Sequence, residues 1–192
     1  MKKTLIIFLT LLILMPWYAE ARSAKNKTVG VYGMGNIQLL GTEPEYAPGP
    51  GGGAYFDYRF NHRFSLTVDA WVTTHNGDDS SNGDDDIVLL GIPTATLKLY
   101  FIDDESSKWD PYAGIGLGVF ALTEGSTANG TNGVGLGAQI DVGFDYHFTD
   151  IIALGFSGIF RSAGIIHNLD GGNNSATAII PFSLVARLGF HF

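Results

Sequence analysis

The feature that most constrains this chain is an apolar–polar alternation with a period of two, repeated in one segment after another. From Phe64 to Thr74, the residues Phe64, Leu66, Val68, Ala70 and Val72 share one parity, and Ser65, Thr67, Asp69, Trp71 and Thr73 the other. From Val134 to Phe148, Val134, Leu136, Ala138, Ile140, Val142, Phe144, Tyr146 and Phe148 alternate with Gly135, Gly137, Gln139, Asp141, Gly143, Asp145 and His147. A helical period would scatter both sets around its circumference, whereas a strand sends alternate side chains to opposite faces. Eight such strands are expected, at 28–40, 51–60, 64–74, 87–102, 111–122, 134–148, 151–161 and 176–192. The fourth alternates weakly at its start, where Pro93 should interrupt a ladder bond.

The connectors also alternate, in length. Long polar ones are expected at 41–50, 75–86, 123–133 and 162–175, short ones at 61–63 and 149–150, and one of medium length at 103–110. Long loops at one end and short turns at the other are the layout of an outer-membrane barrel, in which the turns face the periplasm.

Three properties favour lipid, rather than a soluble core, against the apolar face. That face is apolar and aromatic along nearly whole strands, while the other carries Asp, Arg, Lys, Gln, His and Gly. Aromatic residues gather near strand ends (Phe60, Phe64, Phe101, Phe148, Phe160, Phe190, Phe192), as in interfacial girdles. The final strand reads inward from its end as Phe192, Phe190, Leu188, Ala186, Leu184 and Phe182 on one face and His191, Gly189, Arg187, Val185 and Ser183 on the other. The expected fold is therefore all-β, an eight-stranded antiparallel up-and-down transmembrane β-barrel. A soluble exported barrel with the apolar face inward and an apolar ligand inside is the competing arrangement.

The first residues read as an address. Lys2 and Lys3 precede the apolar run Leu5–Met15, and Ala19-Glu20-Ala21 fits a small-x-small cleavage rule. Residues 1–21 are expected to be a cleaved signal peptide and 22–192 the barrel domain. The absence of cysteine is compatible with export, because a closed barrel satisfies its backbone internally. The net charge of −8 and the lack of a basic patch exclude nucleic acid as a natural partner.

At residue level two stretches resemble a known superfamily. The ending Leu188-Gly189-Phe190-His191-Phe192 resembles the C-terminal assembly signal of outer-membrane proteins, carried by Leu188, Phe190 and Phe192. Pro111-Tyr112-Ala113-Gly114-Ile115-Gly116-Leu117-Gly118 resembles a strand start common in small barrels of the OmpA/OmpX/OmpW type. The resemblance implies a bacterial outer-membrane location. It implies outer-membrane lipids and lipopolysaccharide as surroundings, with barrel-assembly machinery and periplasmic chaperones engaged during biogenesis. It also implies a monomer without a cofactor.

In so narrow a barrel side chains fill the lumen. The polar parity places Asp57, Arg59, Asp69, Lys98, Gln139, Asp141, Asp145 and Arg187 inside, where opposite charges should pair. That network is either a structural plug or the lining of a narrow water or ion path. The acidic loop residues Asp78, Asp79, Asp84, Asp85 and Asp86 offer oxygen ligands, but in the spacing of no calcium loop; they read as a solvated loop, with a weak Ca²⁺ or Mg²⁺ site as the alternative. No paired-histidine metal spacing occurs; His62, His147 and His191 fall at the periplasmic end. Val29–Asn36 is glycine-rich without a nucleotide-binding spacing. Two functional classes follow. The first is a non-enzymatic barrel serving envelope integrity, surface interaction or limited small-solute passage. The second is a lipid A-modifying barrel enzyme, for which Ser157, Ser162, His167 and Asp170 are the available side chains.

Overall fold

A computed structural model describes residues 25–41, 47–76, 86–104, 107–124, 132–167 and 175–192. The proposed signal peptide lies outside the described residues. So do Asp78, Asp79, Asp84 and Asp85 of the acidic loop, and Asp170.

Eight strands run in order: β1 (Lys27–Gly41), β2 (Gly49–Arg59), β3 (Phe64–Asn76), β4 (Asp86–Tyr100), β5 (Trp109–Glu124), β6 (Asn132–His147), β7 (Ile152–His167) and β8 (Ser175–His191). Each pairs antiparallel with its chain neighbours, and β1 pairs with β8, so the sheet closes without an edge. Closure satisfies every strand's backbone within the sheet, which hydrocarbon demands. Near the chain ends the seam is held by Phe192 N–H donating to the Lys27 carbonyl at 2.9 Å.

The alternation sorts side chains as its parity predicts. Leu136, Leu117, Ile115 and Leu184 project outward and are among the most exposed side chains, whereas Asp141, Gln139, Lys98 and Thr67 point into the lumen. Outside, near the chain ends, Trp109 meets Phe144 and Tyr146 with ring centroids 5.0 and 5.1 Å apart, and Tyr146 meets Phe148 at 4.8 Å. This forms one segment of an aromatic belt.

β4 changes parity midway. Ile87, Leu89 and Gly91 face in, then Thr94, Thr96, Lys98 and Tyr100, because the pairing shifts between Gly91 and Thr94. Pro93 has no N–H to give the ladder, and it lies within this irregularity with Ile92 turned outward.

The seventh strand departs from expectation. It continues to His167, where the alternation predicted an end near 161 and a connector over 162–175. Ala163 and Ile165 point inward there, while Gly164 and Ile166 point outward. Both faces of that stretch are apolar, so periodicity does not mark it as a strand.

Candidate functional site: the barrel interior

The lumen is divided by chemistry. Its half toward the long loops is built around an apolar cluster of Trp71, Ile87, Leu89, Phe120, Leu122, Ile165 and Ile179, with the buried polar side chains of Thr73, His75 and Thr177 beside it. Its half toward the short turns and the chain ends is polar and charged.

Strand pairing explains how the large rings fit. Trp71 on β3 lies opposite Gly53 of β2 and Gly91 of β4, and Phe120 on β5 lies opposite Gly91 and Gly135. A methyl group added at Gly91 would collide with the Trp71 indole, and one at Gly137 with the Phe120 ring. The two rings meet edge-on over Gly91 of β4, centroids 5.9 Å apart.

All eight residues expected inside face the lumen. Asp57 accepts hydrogen bonds from Ser65 Oγ at 2.8 Å and Thr67 Oγ1 at 2.5 Å, with Lys98 Nζ 3.9 Å away. Arg59 donates to Asp110 at 2.7 Å, and its guanidinium carbon lies over the Tyr100 ring, 3.9 Å from the ring centre. Asp69 accepts from Tyr32 Oη at 2.7 Å and from Thr94 Oγ1. Gln139 donates to Thr96 Oγ1 at 2.6 Å and accepts from Arg161 Nε at 3.2 Å. Asp145 accepts from Arg187 Nε at 3.1 Å and Tyr100 Oη at 3.3 Å. Tyr112 joins the remaining pair: its hydroxyl donates to Asp141 at 3.2 Å and accepts from Arg187 Nη2. Each cation thus meets a carboxylate, an amide oxygen, a hydroxyl or an aromatic face, as charge removed from water requires.

Asp110, Arg161, Tyr32, Tyr100 and Tyr112 belong to this network but were not among the eight. Arg161, 1% exposed, donates to Ser183 Oγ at 2.6 Å and stacks on Trp71 with its guanidinium carbon 4.4 Å from the ring centre, where polar and apolar halves meet. Extending the fifth strand's parity back by one step would have found Asp110.

Two small cavities remain in the polar half. One, about 30 Å³, is bounded by Arg59, Lys98, Asp145, His147, Arg187 and His191 among others. The second, about 20 Å³, lies among Tyr32, Asp69, Gln139, Asp141 and Arg187. Each has room for about one or two waters.

The serines considered for catalysis separate. Ser157 faces the lumen and Ser162 faces outward. Along β7, Ser162 and His167 are about 16 Å apart and Ser157 and His167 about 33 Å, at roughly 3.3 Å per residue.

With this architecture established, comparison with known proteins gives the family. The outer membrane protein β-barrel domain profile matches residues 5–178. The chain belongs to that family. No curated protein sequence matches the chain significantly. Among solved structures it is similar to neisserial surface protein A, with 18% identity, 90% of this chain and 100% of that one covered, and a TM-score of 0.66. It is similar to OprG from Pseudomonas aeruginosa at 13% identity, covering 90% and 98% with a TM-score of 0.62. It is also similar to Ail, the attachment invasion locus protein of Yersinia pestis, at 12% identity, covering 89% and 99% with a TM-score of 0.52. At these identities the likeness is one of fold. Membership in the outer membrane protein β-barrel family places the chain in the bacterial outer membrane, with the short-turn end toward the periplasm.

Proposed function

We propose that this chain is a non-enzymatic outer-membrane protein that contributes to envelope integrity and surface interaction without being an open conduit. The observation that carries the reading is the filled lumen. Trp71 and Phe120 with their aliphatic neighbours occupy the outer half, and paired charges occupy the periplasmic half. A largely apolar constriction opposes ion passage because it wets poorly. Solutes could pass only if this layer moved aside.

A catalytic reading finds no support in β7, whose two serines point to opposite sides of the wall. The character of the outer surface follows from the sequence. None of the connectors at 42–48, 77–85, 125–131 and 168–174 contains Lys or Arg, and all but 125–131 contain Asp or Glu. A partner recruited there would be cationic or uncharged. Ail has been solved with the heparin analogue sucrose octasulfate; an acidic outer surface opposes such a polyanion. The folded protein is therefore expected to pass unretained over immobilised heparin at physiological salt, and retention would count against this reading.

The deciding experiment is conductance of the purified barrel in planar bilayers. No stable open level is expected. A steady unitary conductance from the wild-type protein would overturn the sealed-lumen reading and favour small-solute passage.

A further inference from the structure

The periplasmic rim brings together two imidazoles from distant parts of the chain. His147 ends β6 and His191 ends β8, and between them runs β7, with Ala153 paired to His147 and to Gly189. Only a methyl group and a hydrogen occupy those inward positions, so the two rings meet across β7 with centroids 5.1 Å apart and planes inclined by 35°.

The Nε2 atoms of His147 and His191 are both buried and have no hydrogen-bond partner. His147 is only 8% exposed. Both side chains border the 30 Å³ cavity. Asp110 Oδ2 lies 3.8 Å from His147 Nε2. On the far side of its ring, His191 Nδ1 is 2.8 Å from Thr28 Oγ1. With the ring proton on Nδ1 and donated to Thr28, Nε2 presents a bare lone pair. This is the arrangement by which a neighbouring oxygen orients a metal-binding histidine. Buried polar atoms without partners are rare enough in folded proteins to call for a reason.

We propose that the His147–His191 pair is a binding site for one nitrogen-preferring transition-metal ion taken from the periplasm, with Cu²⁺ bound most tightly of the divalent series. Among the described residues no set of three or more His, Cys, Asp or Glu side chains is preassembled around a metal. The ion therefore has the two imidazole nitrogens as its principal ligands, and water completes its shell. Asp110 and Asp145 accept hydrogen bonds from Arg59 and Arg187, and two carboxylates held by guanidinium groups are too few for an oxygen-seeking cation. Ca²⁺ and Mg²⁺, which need several oxygen ligands, gain nothing here.

The test is Cu²⁺ titration of the untagged, folded barrel in detergent, followed by calorimetry and electron paramagnetic resonance. One equivalent with nitrogen hyperfine structure is expected, undisturbed by excess Ca²⁺ or Mg²⁺. The His147→Ala/His191→Ala double variant should lose it, His62→Ala should keep it, and Thr28→Val should weaken it about 10- to 100-fold. A second readout needs no variant: Cu²⁺ should protect His147 and His191 of the wild-type protein from diethylpyrocarbonate, read by mass spectrometry. Absence of uptake, an unchanged nitrogen signal in the double variant, or equal modification with and without Cu²⁺ would each overturn the proposal.

Discussion

Among single residues, Arg187 joins several parts of the lumen, touching Asp145 and the Tyr112 hydroxyl and lying over the Tyr112 ring. Arg187→Met keeps much of the side chain's bulk but strands the Asp145 carboxylate. Removing one partner of a buried pair costs about 3–5 kcal/mol, because the other charge is left uncompensated. The variant should unfold in urea at correspondingly lower concentration, and Asp145→Asn in the same background should recover part of the loss; an unchanged midpoint for the single variant would show that the pair is solvated. Parity alone placed both members inside. It could not name the partners, because those depend on strand stagger around the closed wall. Tyr32, Tyr100 and Tyr112 sit at inward parity, but which carboxylate each tyrosine meets is decided across strands. Asp110 was hidden by its position next to Pro111, which reads as the start of the strand rather than its third residue.

At the scale of the strand, the outer surface is legible and the inner one only half so. β6 illustrates this: its outward residues are apolar from Val134 to Phe148, while Gln139, Asp141 and Asp145 mark the inside. Leu136→Arg would put a charge on the lipid face. The expected cost is about 2–4 kcal/mol if that position sits near the midplane and less toward the interfaces. Folding titrations into phospholipid vesicles measure it; a cost near zero would mean that this face does not meet hydrocarbon. The outer end of β7 escaped the reading for a physical reason. Lipid outside and the Ile165–Ile179–Leu122 cluster inside both select apolar residues, so the contrast on which a period of two depends disappears. The same loss of contrast weakens the start of β4, where Ile87, Val88, Leu89 and Leu90 are apolar without a break.

For the molecule as a whole, the stacked halves of the lumen place the barrier to conduction in the outer half. Trp71→Ala combined with Phe120→Ala should thin it, and bilayer current should then rise above that of the wild-type barrel. An unchanged current would locate the barrier among the charged pairs instead. The division has a further consequence for assembly. A strand that slips by one position exchanges its two faces. Near Ile165 the exchange replaces one isoleucine by another, and neither environment objects. Near Asp141 it drives a carboxylate into hydrocarbon and an isoleucine or valine into the charged network. In strands such as β6 and β7, correct alignment is therefore proof-read chiefly by the periplasmic halves, and the outer halves inherit whatever alignment those halves have chosen.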